Sequence, residues 1–265
     1  MDVFGPGDRI AVIAPHPDDE ALGVGGLLFQ AHEQGLPVSV IYLTSGDGNR
    51  VGTMQWSKRP LPRPHHFTAY ARMREQEAVR SLGALGLDAQ DACFLGFPDQ
   101  GLKKLLQPKY QTRPYRSKYT KADRTLTGTP YSGTAVTARL HDVLAEIKPT
   151  VLLLPMLEDS HTDHLAAGKL GRKVARKLDA PPRTYAYPVH YRLFPKPRGI
   201  DPSLPLEAPK RHPRAAEWIS VELAPEAVAA KSAAVERYAS QLKIPLLDTL
   251  MRSLVRRNEL LLPLP

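Results

Sequence analysis

The sequence predicts an α/β fold, a mostly parallel sheet flanked by helices, and three observations carry that reading. Short apolar runs rich in β-branched residues or leucine recur along the chain, as in RIAVIA, VSVIYL and TVLLLP. Segments with helical apolar spacing separate them. Directly after two of the runs come clusters of His and Asp, where an open parallel sheet binds its ligands, beyond the carboxyl ends of its strands.

Taken in order, residues 9–14 read as a buried strand and 20–34 as a helix, with Gly35 as its stop. Residues 38–43 form a second buried strand that ends in the turn-rich TSGDGN. A helix is expected over 72–85, a strand over 92–97, a helix over 135–147 and a buried strand over 150–155. Residues 164–178 read as a helix and 184–189 as a strand. This alternation indicates βαβ units. Further on, 217–223 is expected as a strand, 225–242 as a helix with Pro225 near its start, and 246–261 as a last helix. Two stretches break the pattern. Residues 103–133 have few aliphatics after Leu106, and 191–213 are rich in Pro and basic residues. Both read as loop insertions within a single domain spanning 1–265.

With 265 residues and 42% hydrophobic content, the chain can bury a sizeable core. Its net charge of +9 is compatible with nucleic acid, anionic surfaces or anionic substrates. A lone cysteine, Cys93, excludes an intramolecular disulfide and fits a reducing compartment. Its place in an expected strand, with no paired base, makes it a small apolar residue rather than a nucleophile. The first residues lack the pattern of a secretory leader, and the apolar run near 151–157 is too short to span a bilayer. The expectation is a cytoplasmic protein without a membrane span.

The chemistry concentrates in HPDDE (16–20) and EDSHTDH (158–164). His16 and Asp19 are three residues apart across a strand-to-helix turn, and His161 and His164 are three apart at the start of a later helix. Two such clusters leaving one sheet edge indicate a shared metal site, since a catalytic zinc commonly takes three protein ligands and keeps one position open. Imidazole and carboxylate suit Zn2+; Fe2+, Co2+ and Mn2+ also accept such a set. Asp18 is placed to act as a general base. Glu20 suits the first turn of a helix. Gly23, Gly25 and Gly26 cost helix propensity and imply close backbone packing.

These residues resemble a known family. APHPDDEALGVGG is similar to the AHPDDE signature of the LmbE-like, PIG-L deacetylases, and HTDH resembles their HPDH signature with Thr162 in place of proline. YLTSGDG, the Arg74/Glu77 helix, FLGFPDQGL with Asp99, and Lys231 with YASQ (238–241) resemble further family segments. The resemblance covers most of the chain outside the two insertions. It implies a Rossmann-like fold with the metal site at the C-terminal ends of the strands. It also implies a zinc-dependent hydrolase that removes an acyl group, usually acetyl, from the amide nitrogen of an N-acylated sugar. Carried over, the metal ligands are His16, Asp19 and His164; Asp18 is the base; His161, in its protonated form, stabilises the oxyanion. Several family members have a tyrosine two residues before that histidine, where this chain has Asp159. Asp47, Arg74, Asp99 and His190 are candidate substrate contacts.

Two rival classes remain. A phosphoesterase would keep the metal, but two-metal sites need more ligands than the sequence offers. A basic nucleic-acid-binding protein with a structural metal would use the +9 charge, but no binding motif is present and structural zinc sites are typically closed and Cys-rich. Nucleic acid is therefore disfavoured as a partner, and oligomeric state is left open. Within 103–124, eight Lys or Arg residues are interleaved with Tyr110, Tyr115 and Tyr119. That composition suggests a lid over the pocket, with Arg113, Arg116 and Lys118 favouring an anionic substrate.

Overall fold

The computed structural model describes residues 3–210 and 212–265. Seven strands form one sheet in the order β3-β2-β1-β4-β5-β7-β6. β1 (Ile10–Ala14) lies between β2 (Val38–Thr44) and β4 (Val151–Pro155), parallel to both. β3 (Ala92–Phe97) and β5 (Arg183–Tyr187) extend the parallel part on either side. β7 (Asn258–Leu264) pairs antiparallel with both β5 and β6 (Ile219–Glu222).

Alternate residues of β1 face opposite layers, as a pleated strand requires. Ile10, Val12 and Ala14 pack with α1 (Asp19–Glu33), α3 (Pro64–Ala84) and α7 (Pro225–Glu236). Ala11 and Ile13 pack with α4 (Leu102–Leu105), α5 (Gly133–Ile147) and α6 (Thr162–Ala175). Because the chain leaves β1 toward β2 on one side and adds β4 on the other, the strand order reverses at β1/β4. A crevice opens at such a reversal, beyond the strand ends. The loops carrying HPDDE and EDSHTDH both leave the sheet there.

Two side chains from distant segments enter the backbone ladder of α1. Glu259 of β7 accepts from the amides of Gly26 and Leu27, each at 2.9 Å. The Lys231 ammonium of α7 donates to Leu22 O at 2.9 Å and to Glu259 at 2.5 Å, and both side chains are fully buried. The pair satisfies helix groups in mid-span and ties α1 to β7. Gly23 packs so closely on Tyr187 that a Cβ would stand 2.2 Å from the ring, which fits the expected close backbone packing.

Several elements differ from the sequence reading. The helix expected over 246–261 is α9 (Pro245–Ser253) followed by β7. NELLLPL is buried on both faces over most of its length, so it lacks the alternation that marks a half-buried strand. The helix expected over 225–242 breaks after Glu236 and resumes as the short α8 (Ala239–Leu242). Between them Tyr238 is buried and donates from its hydroxyl to Glu20, so tertiary packing sets the break. α2 (Arg50–Ser57) was not expected; Asn49 caps it by accepting from Gly52 N. α3 begins eight residues before the expected start, with Pro64 at its first position. Residues 103–133 are not wholly loop: they take in most of α4 and a 3-10 turn at Pro108–Tyr110, and Leu105 and Tyr131 are buried in the core.

Candidate active site

The HPDD turn is held from three sides. Asp18 has φ 127°, a backbone conformation that non-glycine residues rarely adopt and that costs about 1–3 kcal/mol. Arg74, buried on α3, donates to both the Pro17 carbonyl and the Asp18 carboxylate, the latter at 2.9 Å. Room for that guanidinium requires Gly46, where a Cβ would lie 1.7 Å from Arg74 Nη1. Glu20 lies in the first turn of α1, as expected, but not at the surface. It is fully buried, accepts from Asp18 N at 3.2 Å and receives the Tyr238 hydroxyl. Its role is to fix the turn from behind.

Asp19 reaches two imidazoles. Its Oδ2 is 3.2 Å from His16 Nδ1, and its Oδ1 is 3.2 Å from His164 Nε2. Each imidazole turns its other nitrogen to a second carboxylate: His16 Nε2 is 3.2 Å from Asp99, and His164 Nδ1 is 3.2 Å from Asp159. Asp19 Oδ1 and His164 Nε2 are buried and make no hydrogen bond. The unpartnered Asp19 Oδ1 and His164 Nε2, facing each other beside the His16 imidazole, fit a divalent cation of the zinc type, and outer carboxylates orient imidazole ligands in metal sites. Three sets of ligand atoms converge to within 4.8 Å of one another: His16 with His161 and His164, Asp19 with His164 and His190, and His16 with Asp99 and Asp163.

The electrostatics follow from burial and these pairings. Burial pushes Asp18 up to about 8, against the pull of Arg74. Burial acts to lower His164, but the Asp19 and Asp159 carboxylates outweigh it and hold the imidazole at about 9. His161 is pushed down to about 4 by burial and by its neighbours His16 and His164. Its Nδ1 accepts from Asp163 N at 3.3 Å, so the neutral ring carries its proton on Nε2. The geometry thus favours a neutral N–H donor at His161 over the protonated form expected from the sequence. Burial likewise lowers His190, to about 3.

A cavity of about 340 Å³ opens beside these groups and is lined by His16, Asp18, Arg74, Asp99, His161 and His190 among others. Three of the four expected substrate contacts, Arg74, Asp99 and His190, therefore reach it. Asp47 does not line it: its carboxylate lies behind Asp99 and accepts that residue's amide at 2.8 Å. Arg113, Arg116 and Lys118 are exposed and none lines the cavity. The insertion touches the site's edge through Tyr119, whose hydroxyl donates to Gln100 at 2.9 Å.

Sequence reasoning missed the part played by Asp159. Besides facing His164, it accepts from the amides of His161 at 2.7 Å and His190 at 3.1 Å, so one carboxylate joins two loops. It also missed Asn49 and Gln241, paired at 2.9 Å in the cavity wall. The acidic lead-in to HTDH was a signal for Asp159; nothing in the sequence marked Asn49.

Fold and site together define an α/β protein with a candidate metal centre at the switch point of its sheet. Residues 11–175 match the model of the PIG-L family, described as GlcNAc-PI de-N-acetylase, and the chain belongs to that family. A 1D-myo-inositol 2-acetamido-2-deoxy-alpha-D-glucopyranoside deacetylase from Nocardia farcinica is 26% identical over 173 residues, 63% of this chain and 51% of that protein. The chain thus spans about half the length of that curated relative. Among solved structures, the conserved protein TT1542 from Thermus thermophilus is similar at 25% identity and a TM-score of 0.55, over 92% of this chain and 84% of that one. The zinc-inhibited form of the teicoplanin deacetylase Orf2 shares the fold at 19% identity and a TM-score of 0.64, over 96% of this chain and 97% of that one. Among the described residues no helix is long and apolar enough to cross a membrane.

Proposed function

We propose that this chain is a metal-dependent deacylase that hydrolyses the amide of an N-acetylated sugar or sugar conjugate, releasing acetate and the free amine. The observation that carries the reading is the Asp19 carboxylate shared between His16 and His164, with Asp18 clamped beside it by Arg74 at the wall of an open cavity. Family membership and the deacetylase named for the Nocardia relative support it. His16, Asp19 and His164 would hold the cation, which we take to be Zn2+. Bound there, a divalent cation supplies Lewis-acid polarisation of the amide carbonyl and makes water a stronger acid.

The chain's own groups provide the proton transfers. Asp18 accepts a proton from the attacking water and delivers it to the departing nitrogen. A base with its affinity raised by burial is suited to both transfers near neutral pH. The neutral His161 donates its Nε2 proton in a hydrogen bond to the carbonyl oxygen as negative charge builds there. Any preference for an anionic substrate is assigned to Arg50, which lines the cavity, rather than to the basic insertion. A cytoplasmic setting belongs to the same proposal and is supported by the single unpaired thiol of Cys93.

The test is a panel of N-acetyl sugars incubated with enzyme loaded with Zn2+, Fe2+, Co2+ or Mn2+, reading released amine and, in parallel, metal content by mass spectrometry. Amine release that chelation abolishes and metal restores is the expected result. Stoichiometric metal without amine release from any member would overturn the deacylase reading.

A further inference from the structure

A groove of about 470 Å³ runs along α6 and shares no lining residue with the cavity at Asp18. Lys169, Arg172, Lys173, Arg176 and Lys177 line it, with Leu157 beside them. Their spacing is i, i+3, i+4, i+7, i+8, and the backbone keeps turning past α6, where the Lys177 amide donates to Val174 O at 2.9 Å. The cations therefore form one row about 12 Å long, at about 1.5 Å of rise per residue. Leu170, Gly171, Val174 and Ala175 between them are buried, so the row faces away from the core. Lys169/Lys173, Arg172/Arg176 and Lys173/Lys177 are like-charge pairs at i, i+4, which destabilise a helix. No carboxylate relieves them. Among the described residues none of the five makes an ion pair. Asp163, the acid of α6, is buried at the active site, and Asp179 lines a different cavity.

We infer that this groove binds a linear polyphosphate, at a site separate from the deacylase centre. Lys and Arg side chains carry donors only, so every polar side chain lining the groove calls for an acceptor. A chain of phosphates is charged acceptor throughout, and guanidinium meets it bidentately. An acidic peptide would bring N–H donors, and a nucleic-acid strand would bring bases that need an aromatic platform. Among the described residues the groove offers neither an acceptor side chain nor an aromatic ring. A lipid surface presents its headgroups as a plane, whereas a single row within a groove suits a narrow chain. The two arginines are already braced. Each donates from Nη2 to Pro265 O, Arg172 at 3.2 Å and Arg176 at 2.7 Å, which holds the guanidiniums side by side and leaves their Nη1 groups for a ligand. Lys169, Lys173 and Lys177 are exposed and supply point charges along the rest of the row.

The full chain is titrated by calorimetry with tripolyphosphate and with a longer linear polyphosphate, and metal content is read before and after because phosphates chelate. Saturable binding at one site per chain is expected. It should weaken about 10–100-fold between about 50 and about 200 mM salt, the loss that roughly four phosphate contacts entail. The combined variant Lys169→Ala, Lys173→Ala, Lys177→Ala leaves the bonds of Arg172 and Arg176 to Pro265 in place. It should lose at least about tenfold in affinity, with melting and amine release unchanged. The combined variant Arg113→Ala, Arg116→Ala, Lys118→Ala removes as much charge from the other basic segment and should bind as wild type does. Equal weakening in both variants would mean attraction to net charge alone and overturns the inference. So does the absence of saturable binding, or an affinity that the lysine variant leaves intact. Tighter binding of oligothymidylate or of phosphatidylserine vesicles than of polyphosphate, lost in the lysine variant, would assign the row to a nucleic acid or a lipid surface and equally overturn it.

Discussion

Asp18→Asn separates proton transfer from every other task at the site. The change is nearly isosteric, and asparagine tolerates positive φ as well as aspartate does, so the turn at φ 127° should persist. The amide oxygen still accepts from Arg74, which also keeps the Pro17 carbonyl. The contacts among His16, Asp19 and His164 do not involve Asp18, so metal content should match wild type. What disappears is a carboxylate on the cavity wall that is clamped by a guanidinium yet raised to about 8 by burial. General base catalysis is worth ~10²–10⁴-fold, or about 2.7–5.5 kcal/mol of barrier. kcat should therefore fall by about that factor at pH 7.5 with KM little changed, read by amine release on the best substrate of the panel. Metal content by mass spectrometry and the melting temperature serve as controls. A variant that retains its metal and turns over within about threefold of wild type would show that Asp18 is not the base.

His16→Ala, Asp19→Ala and His164→Ala should each lower metal occupancy, and full retention in all three purified proteins would rule out that ligand set. Asp159→Asn puts an NH2 group or a neutral oxygen where His164 now meets a charge; metal affinity by chelator competition should drop about 10–100-fold, and unchanged affinity would leave Asp159 as a loop tie only. A neutral donor at His161, held down to about 4, is fully formed above that pH, so its contribution should stay constant from pH 6 to 8. If instead the rate penalty of His161→Ala shrinks across that range, in step with loss of a proton, an imidazolium is the donor. Gly23→Ala drives a methyl into the Tyr187 ring and should destabilise the fold by about 1–3 kcal/mol in chemical denaturation; a wild-type midpoint would show that the ring yields freely.

The sequence by itself determined the parallel core and the position of its chemistry. Buried parallel strands must be apolar nearly throughout, so RIAVIA, VSVIYL and TVLLLP could be read locally, and HPDDE and HTDH are short enough for spacing to show which residues can converge. Tertiary structure decided what depends on partners far along the chain. NELLLPL is a strand because β5 and β6 flank it, and its leucine run lacks the alternation that would mark a strand in the sequence. The helix over 225–242 breaks where Tyr238 turns in to meet Glu20, 218 residues away in sequence. Asp47 resembled a site residue until folding placed Asp99 in front of it. Asp159 acquired its task only when the loops after β4 and β5 came together around one carboxylate. Periodicity reports how a segment meets water or core; it carries no information about which distant side chain will satisfy a buried charge.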